Sequence, residues 1–294
     1  MNAPTVIVVL LGAFLILFTL RDVFHEVLHP SGAGSLSGML VRSVWRSIRR
    51  LTGRPGLLSM AGPLSVVAIV GWAAVLAVGW ALVYWPYLPG RFLFQTGLNP
   101  RAQDGFVDAL YYSLVTLLTL GYGDIVPTNE VLRVLAPVET LIGFGLLTGG
   151  LTWVLSIYPA LTRRRSLAQQ VMVLHEAESE SGIDVVESHP ETAEQIFRDL
   201  GSQLLTVRSD LQQFHVTYFF HSTDERSALA SVLLYLARLA ERGREEGRPP
   251  EVRLSATVLR RSLDDFAQTV ASSFLGLPPD TATEEVLAAY ARDH

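Results

Sequence analysis

Three long apolar stretches constrain the fold of this chain more than any other feature of its sequence. They cover Val6–Phe24, Leu64–Tyr84 and Val134–Tyr158, and each is long enough to cross a hydrocarbon core of ~30 Å as an α-helix. A fourth apolar stretch, Phe106–Leu118, is too short to cross. Because a backbone in lipid must satisfy its own hydrogen bonds, the pattern predicts an all-α membrane protein.

The two halves of the chain differ in composition. Overall, 49% of residues are hydrophobic and 17% are charged, whereas soluble domains are about 25% charged. Residues 159–294 carry 21 acidic residues and 14 arginines, a net charge of −7, and so form a soluble, acidic half. This charge argues against nucleic acid as a partner. The absence of cysteine excludes disulfides, zinc–thiolate sites and cysteine nucleophiles.

The first apolar stretch has the features of a membrane anchor rather than a signal peptide. The start, Met1–Thr5, has no basic residue, and no Ala-x-Ala cleavage site follows the stretch. We therefore expect it to remain in the membrane as a helix.

Arginines cluster on one side of the predicted spans. Those between the first and second spans are Arg42, Arg46, Arg49, Arg50 and Arg54, and those after the third are Arg163, Arg164 and Arg165. The positive-inside rule places residues 25–60 and the carboxyl-terminal half in the cytoplasm. The amino terminus and residues 85–133 then face outward.

The sequence Thr-Leu-Gly-Tyr-Gly-Asp at residues 119–124 directly follows the short apolar stretch. It resembles the selectivity filter of potassium channels, and the resemblance covers residues 61–160 well and the rest loosely. It implies that Phe106–Leu118 is a pore helix, that K⁺ is the permeant ion, and that four identical chains surround one axis. The carbonyl oxygens that would coordinate K⁺ belong to Thr119, Leu120, Gly121, Tyr122 and Gly123. Asp124 would concentrate cations at the outer mouth.

The backbone conformation that a filter needs explains why this motif contains two glycines. Carbonyls alternate in an ordinary strand, so a strip with all carbonyls toward one axis needs residues with φ > 0, as Gly121 and Gly123 can supply. The motif departs from the family pattern at Leu120, where Val or Ile is usual, and at Leu118, where Thr is frequent. We expect K⁺ selectivity to survive, because Leu120 contributes only its carbonyl. Val115 replaces a Glu of some bacterial members, so Glu-linked inactivation is not expected.

Further residues are predicted to support this strip. The resemblance implies that Tyr111 and Tyr112 form an aromatic cuff around Tyr122. A glutamate within the third span, Glu139, is costly to insert, by about 2.5–3.5 kcal/mol. We predict that it braces the back of the pore helix through Thr116 or Tyr112.

The third span is rich in glycine, with Gly143, Gly145, Gly149 and Gly150. The resemblance implies a gating hinge in this helix, and Gly143 has the matching distance from the filter. Close helix packing, which small residues also permit, is the alternative explanation.

Residues 25–29 read His-Glu-Val-Leu-His and match the His-Glu-x-x-His pattern of zinc proteases. An intramembrane metalloprotease is therefore an alternative function. Two observations argue against a protease. Pro30 ends the helix directly after His29, and the loop with a possible third zinc ligand is predicted on the opposite side of the membrane from His25. A non-conducting membrane signalling scaffold is a second alternative.

A segment before the second span, Leu36–Leu51, is amphipathic at helical spacing. It fits a helix lying at the inner membrane surface, against anionic lipid, and equally a linker helix packed on the soluble domain.

The soluble half is predicted to be helical. Helices are expected over Pro190–Phe220, after a capping box at Ser222 and Glu225, over Val252–Leu275, and from Thr281 onward. The domain fits a tetramerisation bundle or a sensor of an unknown cytoplasmic ligand or protein. Four histidines, His175, His189, His215 and His221, are candidates for pH sensing.

These expectations define four regions. Residues 1–30 form an amino-terminal transmembrane helix, 31–60 a linker, 61–160 the pore module and 161–294 a cytoplasmic helical domain. We expect a passive, K⁺-selective channel in a bacterial plasma membrane, a homotetramer in contact with membrane lipid. Neither enzymatic activity nor a cofactor is expected.

Overall fold

The computed structural model describes residues 3–27, 61–97, 104–220, 226 and 228–294. The chain divides into two compact units. The membrane unit contains the amino-terminal helix and Gly62–Leu155, and the helical unit contains Ser156–His294. The amphipathic segment Leu36–Leu51 lies outside the described residues.

Three helices are long and apolar enough to cross a membrane within the described parts of the chain. The helices up to residue 181 are α1 (Ala3–Val27), α2 (Ala61–Tyr84), the short α3 (Phe106–Leu117) and α4 (Glu130–Ser181). The prediction of an all-α membrane protein is confirmed, with each long helix over a predicted span.

Helices α1 and α2 pack closely. A Cβ on Gly12 would lie 2.5 Å from the carbonyl oxygen of Gly79, so the two backbones touch here. The indole N–H of Trp72 donates to the buried carboxylate of Asp22 at 2.9 Å. This hydrogen bond explains how an apolar helix accommodates a carboxylate, since a buried charge needs a partner.

Two three-residue strands form an antiparallel ribbon in the membrane unit. Strand β1 (Phe92–Phe94) precedes α3, and strand β2 (Ile125–Pro127) follows the 119–124 motif. Phe92 lies opposite Pro127, and Phe94 lies opposite Ile125. The ribbon joins segments on either side of the pore helix, a link that was not predicted.

Helix α4 is longer than predicted. We expected the third span to end at Pro159, but the helix continues to Ser181. Proline in a helix interior costs roughly 3 kcal/mol, while each fully buried Leu or Val contributes about 1.5–3 kcal/mol. The buried side chains after the proline are Ala160, Leu161, Leu167, Ala168 and Val171. Their burial outweighs the cost of Pro159.

Four amphipathic helices complete the described part of the helical unit. They are α5 (Pro190–Gln213), α6 (Leu229–Arg244), α7 (Pro250–Val270) and α8 (Thr283–Asp293). Their apolar faces meet in one core with the last turns of α4. The most deeply buried members include Phe197, Leu204, Leu233, Leu259 and Leu263.

The helix ends differ from the predictions in several places. The first helix stops at Gln213, because Phe214 leaves the helical region (φ −121°, ψ 73°), and a 3₁₀ segment, His215–Phe219, follows. The helix predicted to end at Leu275 closes with a π-helical turn over Ala271–Leu275. The last helix begins at Thr283, two residues later than expected. Ser222 and Glu225 lie outside the described residues.

Candidate functional site

Helix α3 carries the candidate site at its carboxyl end. At its start, the backbone N–H of Gly105 donates a hydrogen bond to the Asp108 carboxylate at 3.2 Å. The helix has 12 residues and is therefore about 18 Å long, too short to cross a bilayer. One face is buried, with Ala109, Tyr112 and Ser113 inward.

The last carbonyls of α3 are taken up by the residues that follow. The N–H of Thr119 donates to the Thr116 oxygen at 3.0 Å. The Val115 oxygen accepts from Leu120 at 2.9 Å and from Gly121 at 3.2 Å. Carbonyls that a helix end leaves without helical partners thus hold the first residues of the motif in place.

Residues 119–123 form the candidate filter strip. Along it, residues with positive φ, the left-handed backbone conformation, alternate with residues that do not have positive φ. Thr119, Gly121 and Gly123 have positive φ values of 62°, 56° and 74°. Leu120 and Tyr122 do not share this conformation. Successive residues of opposite hand turn their carbonyls toward the same side, which an extended strand cannot do. For two of these three residues, Gly121 and Gly123, the conformation was predicted because glycine adopts positive φ readily.

The left-handed backbone of Thr119 was not predicted. Among the described residues it is the only non-glycine with positive φ, and such a conformation is an outlier for a β-branched side chain. Strain of this kind costs of order 1–3 kcal/mol and is concentrated at functional sites. No sequence pattern signals it, because threonine ordinarily avoids this region.

The ligands that the strip offers to an ion are backbone carbonyl oxygens. Carbonyl oxygens suit hard cations, and the carboxyl end of α3 adds a partial negative charge beside them. The residues that would hold such an ion are Thr119, Leu120, Gly121, Tyr122 and Gly123. Within the described part of the chain, no three His, Cys, Asp or Glu side chains group closely enough to bind a metal.

Asp124, which directly follows the strip, is held by two hydrogen bonds. The Tyr111 hydroxyl donates to its carboxylate at 2.6 Å, and the Gln95 N–H donates to its carbonyl oxygen at 2.8 Å. Tyr112 points elsewhere, with its ring centroid 4.9 Å from that of Tyr84. In the single chain the Tyr122 side chain is 65% exposed, so the aromatic cuff around it remains a prediction.

Glu139 lies fully buried behind the pore helix, but its partner differs from the prediction. The Ser113 hydroxyl donates to Glu139 Oε1 at 2.6 Å, and the Tyr84 hydroxyl lies beside the same carboxylate. Thr116, one of the two expected partners, donates instead to the Tyr112 carbonyl of its own helix at 2.9 Å. Ser113 faces α4 because it occupies the buried side of α3.

The glycines of α4 have different surroundings. A Cβ on Gly143 would overlap the carbonyl oxygen of Leu117, the last residue of α3. A Cβ on Gly150 would lie 3.0 Å from the Ile69 side chain, and one on Gly149 would lie 4.0 Å from Val27. A Cβ on Gly145 would meet no atom of the chain within 4 Å. Close packing therefore accounts for Gly143 and Gly150, while the hinge remains a prediction.

The histidines occupy varied places. His25 Nδ1 lies 2.8 Å from the Arg21 carbonyl of its own helix, and His29, the second histidine of the protease-like pattern, lies outside the described residues. His175 packs on the Tyr235 ring at 4.6 Å between centroids. Burial lowers the pKa of His215, so this side chain takes up a proton only at a lower pH than an exposed histidine.

Comparison with known proteins relates residues 66–158 to ion channels. Residues 66–158 match the family described as "Ion channel". The Uncharacterized membrane protein YdjJ of Bacillus subtilis (strain 168) is 28% identical over 257 residues, which cover 83% of this chain and 72% of that protein. Two-pore potassium channel 2 of Arabidopsis thaliana is 38% identical over 80 residues, 26% of this chain and 16% of that protein. Protein LctB of Bacillus caldotenax is 33% identical over 84 residues, 27% of this chain and 62% of that protein.

No solved structure matches the chain. The short apolar helix, the strip that follows it and the flanking membrane helices define a pore-loop protein. Through residues 66–158 the chain belongs to the potassium channel family. The plant channel is matched over a small share of its own length, so the comparison concerns the pore module alone.

Proposed function

We propose that four copies of this chain form a passive, K⁺-selective channel through a filter built from residues 119–124. The observation that carries the proposal is the alternation of positive φ at Thr119, Gly121 and Gly123. Four such strips would line one axis with carbonyl oxygens that replace the water around K⁺. Asp124 would supply a ring of negative charge at the outer mouth.

Exposure within the single chain supports assembly into a tetramer. Leu118, Leu120 and Tyr122 are each more than half exposed, although irregular backbone at membrane depth is tolerated only when buried in protein or lining water. Along α4, an exposed apolar stripe includes Phe144 and Leu151. Neighbouring copies would cover the strip and part of this stripe, leaving the axis for the ion.

The distribution of arginine supports an orientation in the plasma membrane. We propose that the amino terminus faces out and that the helical unit lies in the cytoplasm. The helical unit would assemble with its copies as a tetramerisation bundle. Coordination by backbone oxygens requires no cofactor and no enzymatic step.

The test is K⁺-driven flux into liposomes that contain the purified protein, compared with Na⁺. Gly121→Asp should abolish flux, because an aspartate would intrude on the axis at a residue that needs positive φ. Gly90→Asp is the matched control, since Gly90 is exposed and a Cβ there would meet nothing within 4 Å. It should conduct like the unaltered protein.

Three results would overturn the proposal. The first is equal permeation of Na⁺ and K⁺. The second is flux that persists in Gly121→Asp, and the third is an absence of flux from protein with and without residues 166–294. A conducting truncated chain beside a silent full chain would instead show that the helical unit closes the channel.

A further inference from the structure

The outer end of the candidate filter is tied to a segment that precedes the pore helix. The Gln95 N–H donates to the Asp124 carbonyl oxygen at 2.8 Å, and the Thr128 N–H donates to the Arg91 carbonyl oxygen at 2.9 Å. Strands β1 and β2 pair between these two bonds. The chain after the strip is therefore fixed over five successive residues, from 124 to 128.

The pairing makes Gln95–Asp124 the rung of the ribbon next to the strip. In an antiparallel pair, bonded and non-bonded residue pairs alternate. The two bonds given above belong to pairs four residues apart, so the pair Leu93–Val126 halfway between them is also a bonded one. No residue separates the Gln95–Asp124 rung from Gly123, the last residue of the strip.

Strand β1 is itself anchored in the membrane unit. The Phe92 side chain is buried, with its ring centroid 5.2 Å from that of Tyr112 on α3 and 6.3 Å from that of Tyr84 on α2. On β2, Ile125 is buried in the same cluster. The ribbon therefore packs against two helices of the membrane unit.

The inner and outer halves of the strip have different supports. Carbonyls of the pore helix hold the inner half through Leu120 and Gly121. The outer half depends on Asp124, whose side chain is held by Tyr111 and whose backbone is held by Gln95. Removing one of these two contacts leaves the outer end with a single hydrogen-bonded brace at Asp124.

We propose that β1 is a clamp that keeps the outer end of the filter in its conducting shape, with Gln95 as a positioning residue that acts through its backbone N–H. The proposal rests on the proposed conduction function. Carbonyl oxygens aimed at one axis repel each other when no cation lies between them. The clamp therefore matters most when external K⁺ is scarce and the outer sites are often empty.

The test compares Gln95→Pro, which removes this N–H, with Gln95→Ala, which keeps it. Both are reconstituted in liposomes, and K⁺ flux is followed at high and at low external K⁺. Gln95→Ala should behave like the unaltered protein. Gln95→Pro should conduct at high K⁺ but lose flux at least about threefold faster at low K⁺, since one hydrogen bond per chain is missing.

The dependence on K⁺ separates a clamp from a general structural role, which would lower flux equally at both concentrations. Equal decay in the two variants, or an equal loss at high and low K⁺, overturns the clamp and leaves the channel function standing. Absence of K⁺ flux both from the unaltered protein and from the chain without residues 166–294 overturns the channel function itself. If Gln95→Pro fails to assemble, the α-hydroxy analogue of glutamine at residue 95 removes only the N–H and is judged by the same criterion.

Discussion

The membrane unit and the helical unit each contain a glycine with no room for a side chain, but the two face different neighbours. A Cβ on Gly143 would overlap the backbone oxygen of Leu117 at the end of the pore helix. A Cβ on Gly243 would lie 2.7 Å from both the Phe197 ring and the Ala256 side chain. A ring can shift by a few tenths of an ångström, whereas the Leu117 carbonyl cannot move without moving the strip. The membrane unit therefore depends on fixed backbone positions, and the helical unit on side-chain packing.

The membrane unit and the helical unit also differ in how they accommodate charged side chains. In the membrane unit, the carboxylates of Asp22 and Glu139 are buried, and each accepts a hydrogen bond from a dedicated partner. In the helical unit, by contrast, the Arg260–Glu284 ion pair has one exposed member, Glu284. Loss of a partner is costly in the first setting, by about 1–3 kcal/mol, and nearly neutral in the second.

The largest effect is expected from Gly143→Ala. The added methyl group would force α4 away from the end of α3, so we expect destabilisation of more than about 3 kcal/mol and loss of K⁺ flux. Thermal stability in detergent and flux in liposomes would measure both. Gly145→Ala is the control, because a Cβ there meets nothing in the chain. Equal behaviour of the two variants would contradict the close contact.

A smaller effect is expected from Gly243→Ala in the helical unit. Overpacking against Phe197 should destabilise this unit by about 1–3 kcal/mol, without changing the preference for K⁺ over Na⁺. In the control, Gly201→Ala, the nearest atom to the new Cβ would be the Leu259 Cα at 3.5 Å. That variant should be neutral or stabilising by roughly 0.5–1 kcal/mol. An altered ion preference in Gly243→Ala would remove the distinction between the two units.

The smallest effect is expected from Glu284→Gln, and it should depend on pH. The Arg260 guanidinium beside Glu284 lowers the pKa of this carboxyl. A lowered pKa in the folded state means that the charged carboxylate adds stability above its unfolded pKa of about 4.3 and loses this contribution as pH falls through the lower folded value. Because the Glu284 side chain is 54% exposed, the loss at pH 7 should not exceed about 0.5 kcal/mol.

Melting temperatures of Glu284→Gln and of the unaltered protein, at neutral and at strongly acidic pH, would check whether the loss of stability disappears as the pH falls. Glu285→Gln is the matched control, since it removes the same charge from the same first turn of α8. A difference between the two variants that grows as the pH falls would contradict the assigned role of Arg260.

Local chemistry was enough to predict part of the fold and the site. The amphipathic periodicity after residue 190 predicted the helices of the helical unit, because each buries one apolar face. Gly121 and Gly123 predicted left-handed backbone in the strip. The burial of Glu139 followed from its place in an apolar span, but its partner did not, since several hydroxyl groups lie on α3 and only the packed helix selects Ser113.

Features that depend on distant parts of the chain were not predictable. The helix continues beyond Pro159 because burial far along α4 outweighs a local helix breaker. The strands β1 and β2 are too short to show a period, and each needs a partner about thirty residues away. Thr119 adopts a conformation that its own side chain disfavours, so the surrounding hydrogen bonds must impose it.

Pro127 protects the ribbon against one kind of misfolding. It stands opposite Phe92, in a pair that exchanges no hydrogen bond, so its missing N–H costs nothing there. A slip by one residue would bring Pro127 into a pair that needs an N–H, and would turn the buried Ile125 to the opposite face. It would also displace Asp124 by about 3.3 Å, the rise of one strand residue. A single proline that follows the 119–124 motif therefore favours one alignment of the ribbon beside the candidate filter strip.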